Sequence, residues 1–240
     1  MRYVDFHSHI LPKMDDGSRN IRMTVEMLDI LAEEGVCTVF ATPHFYCYNE
    51  SIASFLERRD NALRILNDAV PDSFCAVDVR IGAEIRVVRE MPAFDENDID
   101  CLKLEGTDLM LFELPYNDYD AYMGENIHNI SVKHGIRPVI AHVERYLSLY
   151  SSTDYEELLS IPNVICQITS DFYESKKKAE FTANLIHDGV PVIFGSDCHN
   201  TKDRPPLMHS GFSRLKKFCT KYKISVSDME ELFNYQLSLI

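Results

Sequence analysis

Short apolar runs rich in β-branched and aromatic residues alternate along this chain with longer segments of helical periodicity. That alternation restricts the fold more than any other feature. The runs begin with Tyr3, Val4 and Phe6 and recur at residues 37–42, 77–85, 109–114, 138–141, 164–169 and 191–195. Apolar residues three and four apart mark helices at 20–34 (Met23, Met27, Ile30, Leu31, stopping at Gly35), 51–69, 121–134, 154–160, 175–188, 206–222 and 227–238. Thr153 with Glu156, and Ser227 with Glu230, have the spacing of capping boxes at helix starts. Seven strands separated by helices or loops imply a parallel sheet with helices outside. Val192-Ile193-Phe194 is apolar throughout, which fits burial on both faces. The reading is an α/β fold, a closed or nearly closed β/α barrel, with a doubly wound open sheet as the alternative. No Gly-x-Gly-x-x-Gly follows a strand, which counts against a dinucleotide-binding sheet. No repeat, low-complexity tract or linker divides the chain, so residues 1–240 are read as a single domain.

The formal net charge of −14 argues against a broad surface for nucleic acid or anionic lipid. It leaves room for one anionic substrate in a locally positive pocket. No apolar run approaches membrane-spanning length, and His7, His9 and Asp15 interrupt any signal-peptide pattern. Seven cysteines (37, 47, 75, 101, 166, 198, 219), an odd number without a Cys-x-x-Cys pair, read as reduced thiols in a cytoplasm.

In a parallel β/α barrel the active site lies at the C-terminal ends of the strands. Six of the seven runs end there in His, Asp or Glu. The first gives His7 and His9, side by side because strand side chains alternate, and then Asp16. The next four give His44, Glu84, Glu113 and His142, and the last gives Asp197 and His199. Any one of these is unremarkable; a lone Glu84 or Glu113 is most often a solvated or salt-bridged carboxylate. Together the nine side chains make a ligand set for two or three divalent ions, since a catalytic metal takes about three or four protein ligands. Mixed imidazole and carboxylate ligation favours Mn, Fe or Zn. Three divalent cations against four carboxylates leave a positive surplus, which suits a phosphate dianion.

The segments Asp5-Phe6-His7-Ser8-His9, Asp15-Asp16-Gly17, Thr42-Pro43-His44, Gly82-Ala83-Glu84, Phe112-Glu113, Ala141-His142-Val143-Glu144-Arg145 and Ser196-Asp197-Cys198-His199-Asn200 resemble the PHP (polymerase and histidinol phosphatase) superfamily. Asp-Asp-Gly after the His-x-His, His-x-Glu-Arg at the fifth strand and Arg204-Pro205-Pro206 after the last His make the chain similar to the bacterial metal-dependent protein-tyrosine phosphatases of capsule and exopolysaccharide gene clusters. The resemblance runs from Asp5 to at least Pro206.

What the resemblance implies is a distorted (β/α)7 barrel with a trinuclear, commonly Mn-dependent site that hydrolyses phosphotyrosine by a metal-bridging hydroxide. Carried over by position, His7, His9, Glu84 and Asp197 would hold one metal. Glu84 would bridge to a second with Glu113 and His142, and Asp16, His44 and His199 would hold the third. Arg145 and Arg204 would contact phosphate, and His44, His199 and a metal-bound water are the candidate general acids. The implied substrate is a phosphotyrosine protein, the tail of a bacterial tyrosine autokinase, in control of polysaccharide synthesis. The rival activity is a small-molecule phosphomonoesterase such as histidinol-phosphate phosphatase; the rival of another class is a non-catalytic PHP binding module.

Simpler readings attach to other residues. Arg145 could pair with Glu144 at the surface. Asp15 reads as a turn residue or a support behind a ligand. His134, His187 and His209 lack a strand-end setting and read as ordinary helix or surface histidines. No cysteine is expected as nucleophile: Cys198 and Arg204 are not read as a phosphate loop of the Cys-x5-Arg type, and Cys198 is expected to pack behind the site. The aromatic stretches 45–48 and 116–122 could wall a phenyl-sized pocket. Phe45 stands where related phosphatases often carry a polar or basic residue.

Overall fold

A computed structural model describes residues 3–70, 76–208 and 217–240. His209 and Cys75 lie outside these residues. The strands are β1 (Tyr3–Ser8), β2 (Val36–Ala41), β3 (His44–Phe45), β4 (Asp78–Ile81), β5 (Glu84–Arg86), β6 (Leu109–Glu113), β7 (Arg137–Ile140), β8 (Ile165–Thr169) and β9 (Val192–Gly195). Every pairing is parallel, in the orders β1-β2-β4 and β3-β5-β6-β7-β8-β9.

The expected run 77–85 is split in two, and the run 37–42 has a short continuation beyond it. Thr42-Pro43 separates β2 from β3, because proline lacks the N–H a ladder needs. Gly82-Ala83 separates β4 from β5. The wall continues through both gaps, since Gly82 N donates to Ala41 O (2.9 Å) and Glu84 N to Pro43 O (3.0 Å). Joined this way, the nine segments are the seven strands expected, in sequential order. A parallel bridge between Ser8 and Cys198, with His9 N donating to Cys198 O and Asp197 N to His7 O, brings β9 back to β1 and closes the barrel.

The helices are α1 (Ile21–Glu33), α2 (Ile52–Ala69), α3 (Glu96–Leu102), α4 (Tyr122–His134), α5 (Ser152–Leu159), α6 (Lys176–His187), α7 (residues 217–222) and α8 (Val226–Ser238). Three expectations need correction. The capping boxes are Ser151 with Asp154 and Ser225 with Asp228, not the pairs two residues later; Ser and Asp satisfy the first-turn N–H groups equally well. Residues 205–208 are irregular, with Pro205 and Pro206 withholding donors; of the helix expected at 206–222, residues 217–222 are helical and 209–216 lie outside the described residues. And α3, with an Asp95–Asp98 capping box, had no counterpart in the sequence reading.

Two apolar cores follow from the two faces of the wall. Inside, Val4, Phe6, Phe40, Leu109, Leu111, Val139, Ala141, Ile165 and Ile193 cluster below the strand ends, and Leu104 and Leu239 close the bottom. Phe6 stacks on Phe40 at 5.4 Å. Outside, the larger core lies between wall and helices, including Met27, Leu31, Phe55, Met110, Phe112, Ile127, Ile140 and Phe194. Each such side chain contributes about 1.5–3 kcal/mol of burial free energy. Among the described residues no helix is long and apolar enough to cross a membrane, and the cysteines at 37, 47, 101, 166, 198 and 219 are free thiols.

Candidate metal centre

Above the interior layer the same strand faces turn polar. Glu113 follows Leu111 by two residues, and Gln167 follows Ile165 by two, so both project into the mouth. An irregularity in β1 between Asp5 and Ser8 shifts its register just where the histidines begin. Gly195 lets β9 pass close by: a Cβ there would meet His7 Cβ at 2.6 Å and His7 N at 2.9 Å. Gly17 serves the same need beneath His9, where a Cβ would lie 2.3 Å from the His9 carbonyl oxygen.

All nine residues expected as ligands meet in this mouth. His7 Nε2 lies 3.1 Å from His9 Nε2, 3.3 Å from Glu84 Oε2 and 3.5 Å from Asp197 Oδ1. His9 Nε2 lies 3.3 and 3.4 Å from the same two oxygens. Beside them, His142 Nε2 is 3.0 Å from Glu84 Oε1 and 3.7 Å from Glu113 Oε1, while His44 Nδ1 is 2.8 Å from Glu84 Oε2. On the outer side Asp16 Oδ1 is 3.3 Å from His199 Nε2 and 3.5 Å from His44 Nε2. The potential donors fall into three overlapping groups: His7, His9 and Asp197; His44, Glu84 and Glu113; His9, Asp16, His44 and His199. Donors about 2.0–2.2 Å from one tetrahedral ion sit about 3.3–3.6 Å apart, so the innermost group matches a shared divalent cation.

Two further observations bear on the fit. Gln167 Oε1 accepts from His142 N (2.7 Å), which marks it as the carbonyl oxygen, and it also accepts from His7 Nδ1 (2.9 Å). Asp15 Oδ2 accepts from His9 Nδ1 (2.7 Å), and the Asp197 carbonyl from His199 Nδ1 (3.0 Å). Each acceptor keeps the proton on Nδ1 and turns an Nε2 lone pair to the centre, the usual support of a metal-bound histidine. Buried polar atoms also converge with ion-pair neighbours but without a well-aligned hydrogen bond: His44 Nδ1, Glu84 Oε2, Glu113 Oε2 and His199 Nε2. Such orphans are costly unless a cation satisfies them. Two of the residues expected as ligands, His142 (φ 33°) and Asp197 (φ 51°), take the left-handed backbone, a conformation non-glycine residues hold only where the surroundings over-determine it.

Without cations, protonation departs from that pattern at the centre: against burial, Glu84 and Asp197 raise His7, and Asp15 with its neighbours raises His9 well above the ordinary imidazole value. Burial works against the charged forms of Glu84 and Asp197, yet His7 and its neighbours hold both carboxyls well below the usual range. Burial and then Glu84 push Glu113 up to about 7. Burial lowers His142 to about 4, with the Arg145 charge adding to it, and burial also lowers His199, so both imidazoles are neutral and ready to coordinate. Burial would depress His44 too, but Glu84 and Asp16 hold it up at about 9. Protons thus do here, in part, what divalent cations would do.

Arg145 and Arg204 both reach Asp197 Oδ2, the oxygen that faces away from His7 and His9, and both guanidinium groups keep about a third of their side-chain surface exposed (32% and 37%). Arg145 therefore does not make the surface pair with Glu144, whose carboxylate accepts from Thr169 inside the protein. Arg145 sits in the 3₁₀ turn Val143–Ser148, which Tyr146 ties to β6: its hydroxyl accepts from Leu114 N and donates to Leu114 O. Arg204 is folded back by Asn200, whose Oδ1 accepts from Lys202 N, Asp203 N and Arg204 N. Arg86 escaped the sequence reading, which also gave Gln167 and Asn200 no role; Asn200 stands four residues before Arg204, and Arg86 two after Glu84 on the same strand face.

One motif needs correcting. Cys198 and Arg204 do have the Cys-x5-Arg spacing, with five residues between them. Burial, not spacing, removes Cys198 as a nucleophile: it is fully buried in the core, and burial pushes its thiol pKa far up, where thiolate is negligible. His134 and His187 are on helices, bonded to Glu96 and to the Tyr222 carbonyl.

The family model described as capsular polysaccharide synthesis, CpsB/CapC, matches residues 3–233. The chain belongs to this family. The tyrosine-protein phosphatase YwqE of Bacillus subtilis is 30% identical over 84% of this chain and 79% of its own length. The tyrosine-protein phosphatase CpsB of Streptococcus pneumoniae is 28% identical over 96% and 94%. A solved structure from work on YwqE and CpsB, described as unique metal-dependent tyrosine phosphatases, superposes with a TM-score of 0.67 at 26% identity, covering 89% of this chain and 86% of that one. The phosphotriesterase of Mycobacterium tuberculosis shares the fold alone, with a TM-score of 0.57 at 9% identity.

Proposed function

We propose that this chain is a metal-dependent protein-tyrosine phosphatase whose centre is the nine-residue cluster at the barrel mouth. One observation carries the reading: Arg145 and Arg204 converge on the outer oxygen of Asp197, whose inner oxygen faces His7 and His9. Two guanidinium forks beside a cation-holding cluster suit the oxygens of a phosphoryl group, which arginine pairs in bidentate fashion. His7, His9, Glu84 and Asp197 would hold one ion, Glu84, Glu113 and His142 a second, and Asp16, His44 and His199 a third. When bound, divalent ions supply Lewis acidity and activate water at neutral pH. Manganese fits this mixed imidazole and carboxylate set, as iron or zinc also would.

The chain's own residues do the rest. Arg145 and Arg204 leave Asp197 for the phosphoryl oxygens and neutralise charge as the leaving group departs. Among the chain's own residues His44 and His199, on the outer side of the cluster, are the candidate proton donors to the departing phenolate, which needs little help because its conjugate acid has a pKa near 10. Tyr48 (63% exposed) and Tyr116 (67% exposed) stand open to solvent, and Tyr46 stacks on His44 at 5.1 Å. An open aromatic rim suits a tyrosine presented on a protein more than a small polar phosphomonoester. The substrate we infer is the phosphotyrosine tail of a bacterial tyrosine kinase, in the cytoplasm, with capsule or exopolysaccharide synthesis as the process controlled.

The experiment compares Mn2+-stimulated hydrolysis of a phosphotyrosine peptide and of histidinol phosphate, with metal content measured on the same sample. The peptide is expected to be preferred. Preference for histidinol phosphate, or fewer than one ion per chain without stimulation, would sink the reading.

A further inference from the structure

Glu113 and Asp197 stand at opposite ends of the cluster and are used alike. Each is shared between imidazole and arginine; in Glu113 the arginine-paired Oε2 also lies 3.7 Å from His44 Nδ1. For Asp197 the arginines are the two exposed forks described above. For Glu113 the arginine is Arg86, with Nε 3.0 Å from Oε2, while Oε1 faces His142 at 3.7 Å. The pairing is built into the sheet: in the β5–β6 register Arg86 is directly opposite Glu113.

Arg86 differs from Arg145 and Arg204 in how its fork is spent. Nη1 donates to the Leu114 carbonyl at 3.1 Å, the same oxygen that receives the Tyr146 hydroxyl. The guanidinium carbon lies 5.7 Å from the centre of the Tyr46 ring, and Tyr46 stacks on His44 with 21° between planes. Arg86 therefore holds Glu113 directly and His44 through Tyr46. These are two of the three members of the group that also contains Glu84. It is less exposed than the other two arginines, at 23% of its side chain.

We infer that Arg86 is a positioning residue that, with Tyr46, fixes Glu113 and His44 in the orientation that binds a divalent cation. This rests on the reading of the cluster as a metal centre. The sign of the effect separates this role from a bystander charge. A guanidinium that merely sat nearby would repel cations, so its removal would tighten their binding. A bracket that orients ligands does the reverse: losing such support typically costs about 10–100-fold in metal affinity.

The test is calorimetric titration of chelated, dialysed protein with Mn2+, comparing the unaltered chain with Arg86→Gln and Arg86→Lys. Both variants are expected to weaken one class of Mn2+ sites by about tenfold or more. Lysine retains the charge but not the fork, so its loss reports geometry alone. The remaining sites and the melting temperature of the chelated proteins are expected to stay unchanged. Equal or tighter Mn2+ binding in Arg86→Gln overturns the inference. So does full Mn2+ affinity with a raised KM for phosphotyrosine peptide, which would make Arg86 a substrate contact. An unaltered chain that binds no Mn2+ would instead remove the metal reading, and the first titration alone identifies that case.

Discussion

Arg145 and Asp15 lie on opposite sides of His9's neighbourhood and are expected to fail differently when removed. Arg145 meets the cluster only from outside, at Asp197 Oδ2, while the inner oxygen keeps its place near His7 and His9. Arg145→Ala is therefore expected to keep its metal content and lose about 10²-fold or more in turnover of a phosphotyrosine peptide, the scale seen when one transition-state charge partner is deleted. Normal turnover by that variant would remove the phosphate-clamp assignment. Asp15 acts from behind: it receives His9 Nδ1, His44 N and Gly17 N, so it orients one ligand and anchors the backbone of another. Asp15→Ala is expected to weaken Mn2+ binding by about 10–100-fold before any kinetic constant is considered. Metal analysis at fixed free Mn2+ checks it; wild-type occupancy at limiting Mn2+ would refute it. The residues that meet in the mouth were legible in the sequence because all but Asp16, which follows a turn, stand at or just after the end of an apolar run, a pattern local to a few positions. Arg86, Gln167 and Asn200 were not, because their work depends on a partner across the sheet or on a turn whose bonds no periodicity reports.

At the scale of elements, strand identity was read well and strand continuity was not. Gly82 sits inside a run whose composition is otherwise that of an unbroken strand, Pro43 sits just past the end of one, and only the neighbouring wall decides that the ladder survives them. Helix α3 buries Ile99 and Leu102 along a single short stretch, too few apolar positions to establish a period. A tight contact between two strands lies where β9 passes β1 at Gly195. Adding one methyl group there forces His7 or β9 to move, and overpacking of that kind costs about 1–3 kcal/mol. Gly195→Ala is expected to lower the melting temperature and, because the displaced residue is His7, to reduce Mn2+ occupancy as well. Retention of both would mean that the two strands slide past each other more freely than their backbone bonds at Asp197 and His9 suggest.

For the molecule as a whole, the barrel is closed at the place where the cluster is built. The Ser8–Cys198 bridge and its neighbouring backbone bonds join the first strand to the last, and Glu84, Glu113 and Asp197 are carboxyl groups gathered in the mouth of the closed wall. Without cations, bound protons offset their charge, which ties stability to pH. His44 is held up at about 9, against burial, by Glu84 and Asp16, and Glu113 is pushed up to about 7 by burial and Glu84. Both keep protons in the folded state that the unfolded chain has already released, since ordinary imidazole and carboxyl values are about 6.5 and 4.3. The stabilisation from His44 is thus complete below about 6.5 and lost as pH rises through about 9, and that from Glu113 is already fading by about 7. Glu84 and Asp197, held low, act in the opposite sense only in acid. The chelated protein is therefore expected to lose melting temperature steadily between about pH 7 and 9. Excess Mn2+ should raise the melting temperature and flatten that slope, because cations bind the folded state and displace the protons. A scan of chelated and Mn2+-loaded protein across this range decides the matter: a flat chelated profile, or equal melting temperatures in the two series, would show that the cluster does not link metal binding to the stability of the barrel.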